Sequence, residues 1–140
     1  MDRSTEHDAV WADTVDGGLL HQLFGFYPTL HDATIRAITY SRGMDRLEMT
    51  LDYEDEAEGD TPLRARISIA WTGVQSAKLG IEDNFLTGLK FKRRGDQIVT
   101  QLKTMDQADG EVVSEGVEAK LVALDPAPEE PTLPIMFRLE

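Results

Sequence analysis

The chain contains no cysteine, which excludes disulfide bonds, thiolate metal sites and cysteine nucleophiles. Histidine is scarce as well: only 3 of the 140 residues are histidine, so a metal site or catalytic base has few positions to draw on. No apolar run approaches the roughly 20 residues that a membrane-spanning helix needs, and residues 1–8 are too polar to form a signal peptide. We therefore expect a cytoplasmic protein with no membrane partner, since a chain without disulfides suits a reducing compartment.

Basic residues are in the minority, with 14 lysines and arginines against 26 aspartates and glutamates and a formal net charge of −12. A surface of this sign repels nucleic acid and anionic lipid and attracts basic proteins. We therefore expect no nucleic-acid partner. Solubility alone also accounts for acidic surfaces, so the charge bears on association and not on the fold. Four of the basic residues gather in one short segment, at Lys90, Lys92, Arg93 and Arg94.

The N-terminal part predicts one short helix. Residues 1–13 are polar and predict a frayed start, in which Val10 and Trp11 are the side chains suited to packing. The helix follows Asp16, whose carboxylate is placed to accept amide hydrogens of the first turn, and it ends at Gly25. Its apolar face is formed by Leu19, Leu20, Leu23 and Phe24.

From Ala33 onward apolar residues recur at every second position, which is typical of strands with one buried face. In the clearest case, residues 46–53, the apolar positions are Leu47, Met49, Leu51 and Tyr53. Further strand candidates begin at Leu63, Val74, Phe85, Ile98, Val112 and Ile135. Residues 111–124 can be read as strand or as helix, and Gly116 with its β-branched neighbours favours strand.

These elements predict a mainly β domain that spans residues 1–140. We expect an antiparallel sheet of roughly seven to eight short strands, curled or two-layered, with the short N-terminal helix packed on it. Residues 125–134 are rich in proline and glutamate and predict a stiff connector to the last strand. An open sheet edge could pair with a second copy, so a homodimer is compatible with this fold.

An acidic segment, residues 52–60, carries six acids in nine residues. Such a cluster cannot enter a core, so it predicts an exposed hairpin tip. Two interpretations stay open, a tip that water simply solvates and a surface that contacts a basic protein. The six acids are Asp52, Glu54, Asp55, Glu56, Glu58 and Asp60.

The pair His31–Asp32 is the feature closest to a chemical motif. Phosphohydrolases that carry such a pair hold it on a helix with further histidine and aspartate ligands, whereas strand-like sequence follows Asp32 here. A metal site of His21, His31 and Asp32 has suitable ligand types, but no spacing supports it. The favoured interpretation is that His31 and Asp32 bond backbone groups where the chain turns from helix to sheet.

Other catalytic patterns are missing from the sequence. It has no Gly-x-Ser-x-Gly nucleophile motif and no phosphate-binding glycine motif. Its carboxylates cluster in loop-like segments, where solvation keeps both members of any pair ionised. We therefore expect a protein that is not an enzyme and that holds no cofactor and no metal.

Residues 24–33, with the sequence Phe-Gly-Phe-Tyr-Pro-Thr-Leu-His-Asp-Ala, resemble the opening motif of the immunity protein 50 family. The later segment 69–74 resembles the hydrophobic strand and Gly-Val of that family. Its members are small bacterial proteins encoded beside polymorphic toxin genes and inferred to neutralise a cognate toxin by binding it. The matching motif residues are Phe24, Gly25, Pro28, His31, Asp32 and Ala33.

The resemblance implies a structural role for the motif and a toxin-binding role for the protein. Immunity proteins commonly block basic toxins with an acidic surface, so the acids of residues 52–60 are the candidate contact residues. The alternative is a small-ligand binding module with a pocket near the helix-to-sheet junction. Polar groups converging on an enclosed apolar cavity would favour that alternative, whereas a filled interior would oppose it.

Overall fold

A computed structural model describes residues 3–14, 16–24, 27, 30, 33–41, 45–55, 63–78, 85–104, 110–124 and 136–139. Two helices come first, α1 (Arg3–Ala12) and α2 (Gly17–Phe24). The strands are β1 (Ala33–Ser41), β2 (Arg46–Asp55), β3 (Leu63–Lys78), β4 (Phe85–Arg94), β5 (Gln97–Thr104), β6 (Gly110–Leu124) and β7 (Met136–Leu139). Neither described helix is long and apolar enough to cross a membrane.

Strands β1 to β6 pair into a closed ring in the order β1, β2, β3, β6, β5, β4 and back to β1. Every pairing in the ring is antiparallel. The ring closes where Ala33 and Thr34 of β1 meet Leu86 and Phe85 of β4. The short β7 lies parallel to β1 beyond that point. The predicted mainly β class and antiparallel sheet are confirmed, and the sheet curls into a ring.

The strand candidates that began at Leu63 and Val74 form one continuous strand, β3, of 16 residues. Gly73 lies between them with a φ of 61°, a left-handed conformation that favours glycine and bends the strand without ending it. The prediction of two separate strands is therefore wrong here. Residues 110–124 form strand β6 throughout, as Gly116 had favoured.

A second helix was not predicted, because residues 1–13 read as a frayed start. Arg3–Ala12 is the helix α1, and Val10 and Trp11 are buried as expected. His7 and Thr14 are buried as well. These four positions have the spacing of one helical face, so α1 is held by its packing rather than by strong helix propensity.

Both helices pack at one opening of the ring. In an antiparallel ring the alternate strands β2, β4 and β6 run in the same direction, so their C-terminal ends surround one opening. Trp11 of α1 packs edge-on against Phe91 of β4, with 5.4 Å between ring centroids. Phe24 of α2 packs edge-on against Tyr53 of β2 at 5.2 Å. We call this end of the ring, surrounded by the C-terminal ends of β2, β4 and β6, the helix-capped opening.

Asp16 attaches α2 to β6. Its backbone carbonyl accepts a hydrogen bond from the Leu20 amide at 2.9 Å, as expected for the residue before a helix. Its carboxylate accepts a hydrogen bond from the Leu121 amide of β6 at 2.8 Å, in place of the predicted bonds to the first turn. The Asp16 amide also donates to the Ala119 carbonyl at 3.1 Å. This aspartate therefore acts as a tertiary link.

Large side chains fill the described interior of the ring. Trp71 of β3 is fully buried, and its Nε1 donates a hydrogen bond to Oγ1 of Thr100 on β5 at 2.8 Å. That bond satisfies both polar groups where water has no access. Each large apolar side chain buried here contributes about 1.5–3 kcal/mol. The largest fully buried ones are Trp11, Trp71, Phe91, Leu20, Leu30, Ile35, Ile38, Met49, Leu51, Ile67, Ile69 and Leu86.

The two adjacent glycines of α2 differ in their surroundings. A Cβ on Gly17 would clash with the Trp11 carbonyl oxygen, whereas a Cβ on Gly18 would meet nothing within 4 Å. We expect Gly18→Ala to raise the free energy of unfolding by about 1 kcal/mol through helix propensity. We expect Gly17→Ala to lower it by about 2 kcal/mol, because α2 must move away from α1. Urea unfolding of both variants measures the difference, and equal shifts of the same sign would contradict the close approach.

Candidate protein-binding surface

The acidic segment begins at the helix-capped opening. Asp55 ends β2 and Leu63 begins β3, and the two residues are ladder partners. Because the C-terminal end of β2 lies at the helix-capped opening, the chain enters residues 56–62 from there. Strand β6 ends at the same opening, with Leu124 paired to Ala65, and the next residue in the sequence is Asp125. Of the six candidate acids, Glu56, Glu58 and Asp60 lie outside the described residues.

Asp52 was predicted in an exposed hairpin tip, and that prediction is wrong because Asp52 lies inside β2. Its carboxylate accepts a hydrogen bond from Nε of Arg66 at 2.8 Å and from Nη1 of Arg36 at 3.2 Å. Arg36 occupies the bulge of β1 between Ile35 and Ala37, and a bulge redirects a side chain in this way. Asp52 thus links β1, β2 and β3 across the outer face of the ring.

Glu54 differs from Asp52 in exposure. Glu54 lies two residues after Asp52 in β2, and its side chain is exposed. Asp55 is the last residue of β2, at the rim of the helix-capped opening. Of the six candidate acids, Glu54 is the one whose side chain is described and exposed.

Exposed apolar side chains lie at the same opening. Val122 and Leu124, near the end of β6, are 55% and 50% exposed. Leu124 is paired with Ala65 of β3, and Ala65 is paired with Tyr53, the neighbour of Glu54. Sheet geometry therefore places Leu124 about two strand spacings, roughly 10 Å, from β2. An apolar patch beside charged residues is typical of a protein-binding surface.

Two further charged residues on the outer face of β2, Arg46 and Glu48, are paired. Nη1 of Arg46 lies 3.1 Å from Glu118 of β6, and its Nη2 lies 3.7 Å from Glu48. Ser68 donates a hydrogen bond to Glu48 at 3.1 Å. Exposed pairs of this kind contribute little to stability, about 0–1 kcal/mol each, but they neutralise this face.

The described side chains of residues 24, 30 and 33, in the segment that resembles the family motif, are buried. Phe24 ends α2 and is buried against Tyr53, and Ala33 begins β1 with no exposed surface. Leu30 is also fully buried, with a φ of 60°, and its carbonyl accepts a hydrogen bond from the Ala33 amide at 3.1 Å. A left-handed leucine costs about 1–2 kcal/mol, which its burial offsets. The motif residues Gly25, Pro28, His31 and Asp32 lie outside the described residues.

The described histidines differ in their surroundings. His7 is buried and stacks on Phe91, with 5.5 Å between ring centroids. Its Nε2 faces the indole N–H of Trp11 at 3.1 Å and its Nδ1 faces the Phe91 amide at 3.2 Å. His21 is exposed, and its ring centroid lies 4.6 Å from that of Tyr27. Within the described ranges, no group of three or more histidine, aspartate or glutamate side chains could hold a metal ion.

Asp52 and Glu54 of β2 allow a matched test. Asp52→Ala leaves Arg36 and Arg66 without this carboxylate, and both arginine side chains are only about one-fifth exposed, at 18% and 21%. We expect a loss of about 1–2 kcal/mol in the free energy of unfolding. Glu54→Ala should change it by less than about 0.5 kcal/mol, because the side chain is exposed. Chemical denaturation measures both variants, and an equal loss in both would contradict the structural role of Asp52.

No protein-family model matches this chain, and the comparisons with curated proteins and with solved structures gave no match either. The resemblance to the immunity protein 50 family therefore stays a prediction.

Proposed function

We propose that this protein is a non-enzymatic, immunity-like protein of the bacterial cytoplasm that binds and neutralises a cognate toxin. The contact surface is the rim of the helix-capped opening. The observation that carries the proposal is the combination at this rim of exposed Glu54, exposed Val122 and Leu124, and the start of the acidic segment.

The charge supports a basic partner. The formal net charge is −12, and five of the 26 acidic residues lie within residues 54–60. An acidic rim accelerates association with a basic protein and selects against acidic ones. Asp52 contributes indirectly, since its bonds to Arg36 and Arg66 hold the strand that carries Glu54.

Apolar contacts supply the part of the affinity that salt does not screen. Leu124 and Val122 are exposed at an end of β6 that is held by pairing with β3. Interfaces draw most of their energy from a few well-packed side chains inside a polar rim. The Phe24–Tyr53 contact and the Asp16–Leu121 bond keep the rim in one arrangement, which lowers the entropic cost of binding.

A filled interior weighs against the small-ligand alternative. Trp11, Trp71, Phe91 and Leu20 occupy the described interior and are fully buried. A ligand pocket of ordinary size needs about 300 Å³ of enclosed space. Protein binding at the rim is therefore the better-supported function.

Charge reversal at Glu54 tests the acidic rim. We expect Glu54→Lys to weaken binding of the purified neighbouring-gene product about tenfold at low salt, with the difference shrinking as salt rises. Glu115→Lys is the matched control, because Glu115 is exposed, changes the net charge equally and lies in the first half of β6. Surface plasmon resonance at several salt concentrations measures both variants. Equal weakening by the two reversals would contradict a localised acidic contact.

Serine substitution at Leu124 tests the apolar part of the rim. We expect Leu124→Ser to weaken the same complex several-fold at every salt concentration, because the lost contact is not electrostatic. Its free energy of unfolding should change by less than about 0.5 kcal/mol, since the side chain is half exposed. An affinity equal to that of the unchanged protein would remove Leu124 from the interface. The proposal as a whole fails if expression of the neighbouring gene is equally lethal with and without this protein.

A further inference from the structure

A group of lysines lies on the outer face of β4 and β5. Leu89 and Phe91 of β4 are buried, so the alternating Lys90 and Lys92 face outward. In the β4–β5 ladder Lys90 is opposite Gln101, and Gly88 is opposite Lys103. Residues on one face at neighbouring ladder positions lie about 5–8 Å apart, so these three ammonium groups share one surface.

Two adjoining grooves run through this surface. One, of about 340 Å³, is lined by Lys90, Lys92 and Lys103 around Gly88 and Gln101. The other, of about 480 Å³, is lined by Gln101, Lys103, Lys78 and Glu111. They share Gln101 and Lys103, and their described lining residues belong to four strands, β3, β4, β5 and β6. We call the surface formed by Lys78, Lys90, Lys92, Gln101 and Lys103 the basic trough.

The basic trough reaches the end of the protein opposite the helix-capped opening. Lys78 is the last residue of β3 and Lys103 is the penultimate residue of β5. Strands β3 and β5 run opposite to β2, β4 and β6, so their C-terminal ends surround the other opening. In the ring order, β4 and β5 also lie across from β2 and β3. The trough is therefore separate from the acidic rim.

Within the part of the chain that the structure describes, the trough lysines differ from four of the arginines in having no ionic partner. Arg36, Arg46, Arg66 and Arg93 each form an ion pair, the last with Asp13 at 2.8 Å. Among the described residues, the four trough lysines form none. Glu111 is the carboxylate among the described lining residues, and it lies at the Lys78 end. Unpaired cations gathered in a chain of net charge −12 repel one another, and an anionic occupant would relieve that repulsion.

The lining chemistry favours carboxylates over phosphates. The planar fork of arginine gives bidentate contacts to phosphate, whereas lysine binds an anion as a point charge without that geometry. The described lining residues include no arginine and no aromatic side chain. The bases of a nucleic acid would therefore find no side chain to stack on among them. Lysines spread over three strands suit an extended chain with several separate charges. Gly88 lets that chain approach closely, because a Cβ there would meet nothing within 4 Å.

We propose that the basic trough binds an extended, carboxylate-rich segment of another protein. This site goes beyond the toxin-binding rim, because it is centred on β4 and β5, across the ring from β2 and β3, and takes a partner of the opposite charge. The protein would then present one surface to a basic partner and another to an acidic one.

A charge reversal at Lys103, which lines both grooves, tests the trough. A short fluorescent polyglutamate peptide is the probe, with a polyglutamine peptide of equal length as the uncharged reference. We expect anisotropy titrations at low salt to give about tenfold weaker polyglutamate binding to Lys103→Glu than to the unchanged protein. Lys120→Glu is the matched control, since Lys120 is also exposed, changes the net charge equally and lies outside the trough. We expect less than about a twofold effect from it.

Several outcomes would overturn the proposal. Equal weakening by Lys103→Glu and Lys120→Glu would mean that the peptide responds to net charge alone. Polyglutamine bound as tightly as polyglutamate, or no polyglutamate binding at all, would remove carboxylate recognition. Tighter binding of a single-stranded oligonucleotide than of polyglutamate would assign the trough to nucleic acid. Self-association that Lys103→Glu abolishes would assign it to a second copy. The rim variants Glu54→Lys and Leu124→Ser leave the trough unchanged, so the two proposals fail independently.

Discussion

The packing of α1 and α2 against the ends of β2, β4 and β6 is the contact on which the rest of this structure depends. A ring of antiparallel strands leaves an opening at each end, and apolar side chains inside it meet water unless something covers them. Trp11 and His7 cover Phe91 from α1, and Phe24 covers Tyr53 from α2. Asp16 fixes the helix pair to β6 through two hydrogen bonds. Because that cover has one arrangement, the rim around it also has a defined shape.

Positive and negative charges occupy different parts of this protein. Arginines on the outer face of β1 to β3 are neutralised by neighbouring acids, as in the group formed by Arg36, Asp52 and Arg66. The described lysines on β4 and β5 form no ion pair with a described carboxylate, and three of the six candidate acids follow β2 in the sequence. The net charge of −12 does not show this separation, because it says nothing about where the charged residues lie. Recognition of a partner depends on local potentials, which the folded ring creates by bringing distant segments to one end.

The sequence predicted most of the sheet because its strands alternate cleanly, as in 46–53, and alternation reports burial directly. It failed at α1, where His7 is buried with Val10 and Trp11 and the buried Thr14 follows the helix; these two polar residues conceal the helical spacing. It failed at Asp52, because a carboxylate paired across three strands looks like any other member of an acidic segment. Ring closure could not be predicted, since the contact of Ala33 with Leu86 joins residues that no local pattern connects. The trough lysines were visible as a basic cluster, but their grouping with Lys103 and Lys78 follows only from strand pairing.

Because β3 is continuous, a single strand connects the two ends of the ring. This strand runs through 16 residues from the acidic rim at Leu63 to the trough at Lys78, and Gly73 bends it without interrupting the ladder. At about 3.3 Å per residue it measures roughly 50 Å along its path. Two macromolecules held at its ends would be kept apart at a set spacing, as by a rigid spacer rather than a flexible tether. The effective concentration of one bound macromolecule around the other would then be set by the length and direction of β3. Flexibility of a linker would contribute little to it.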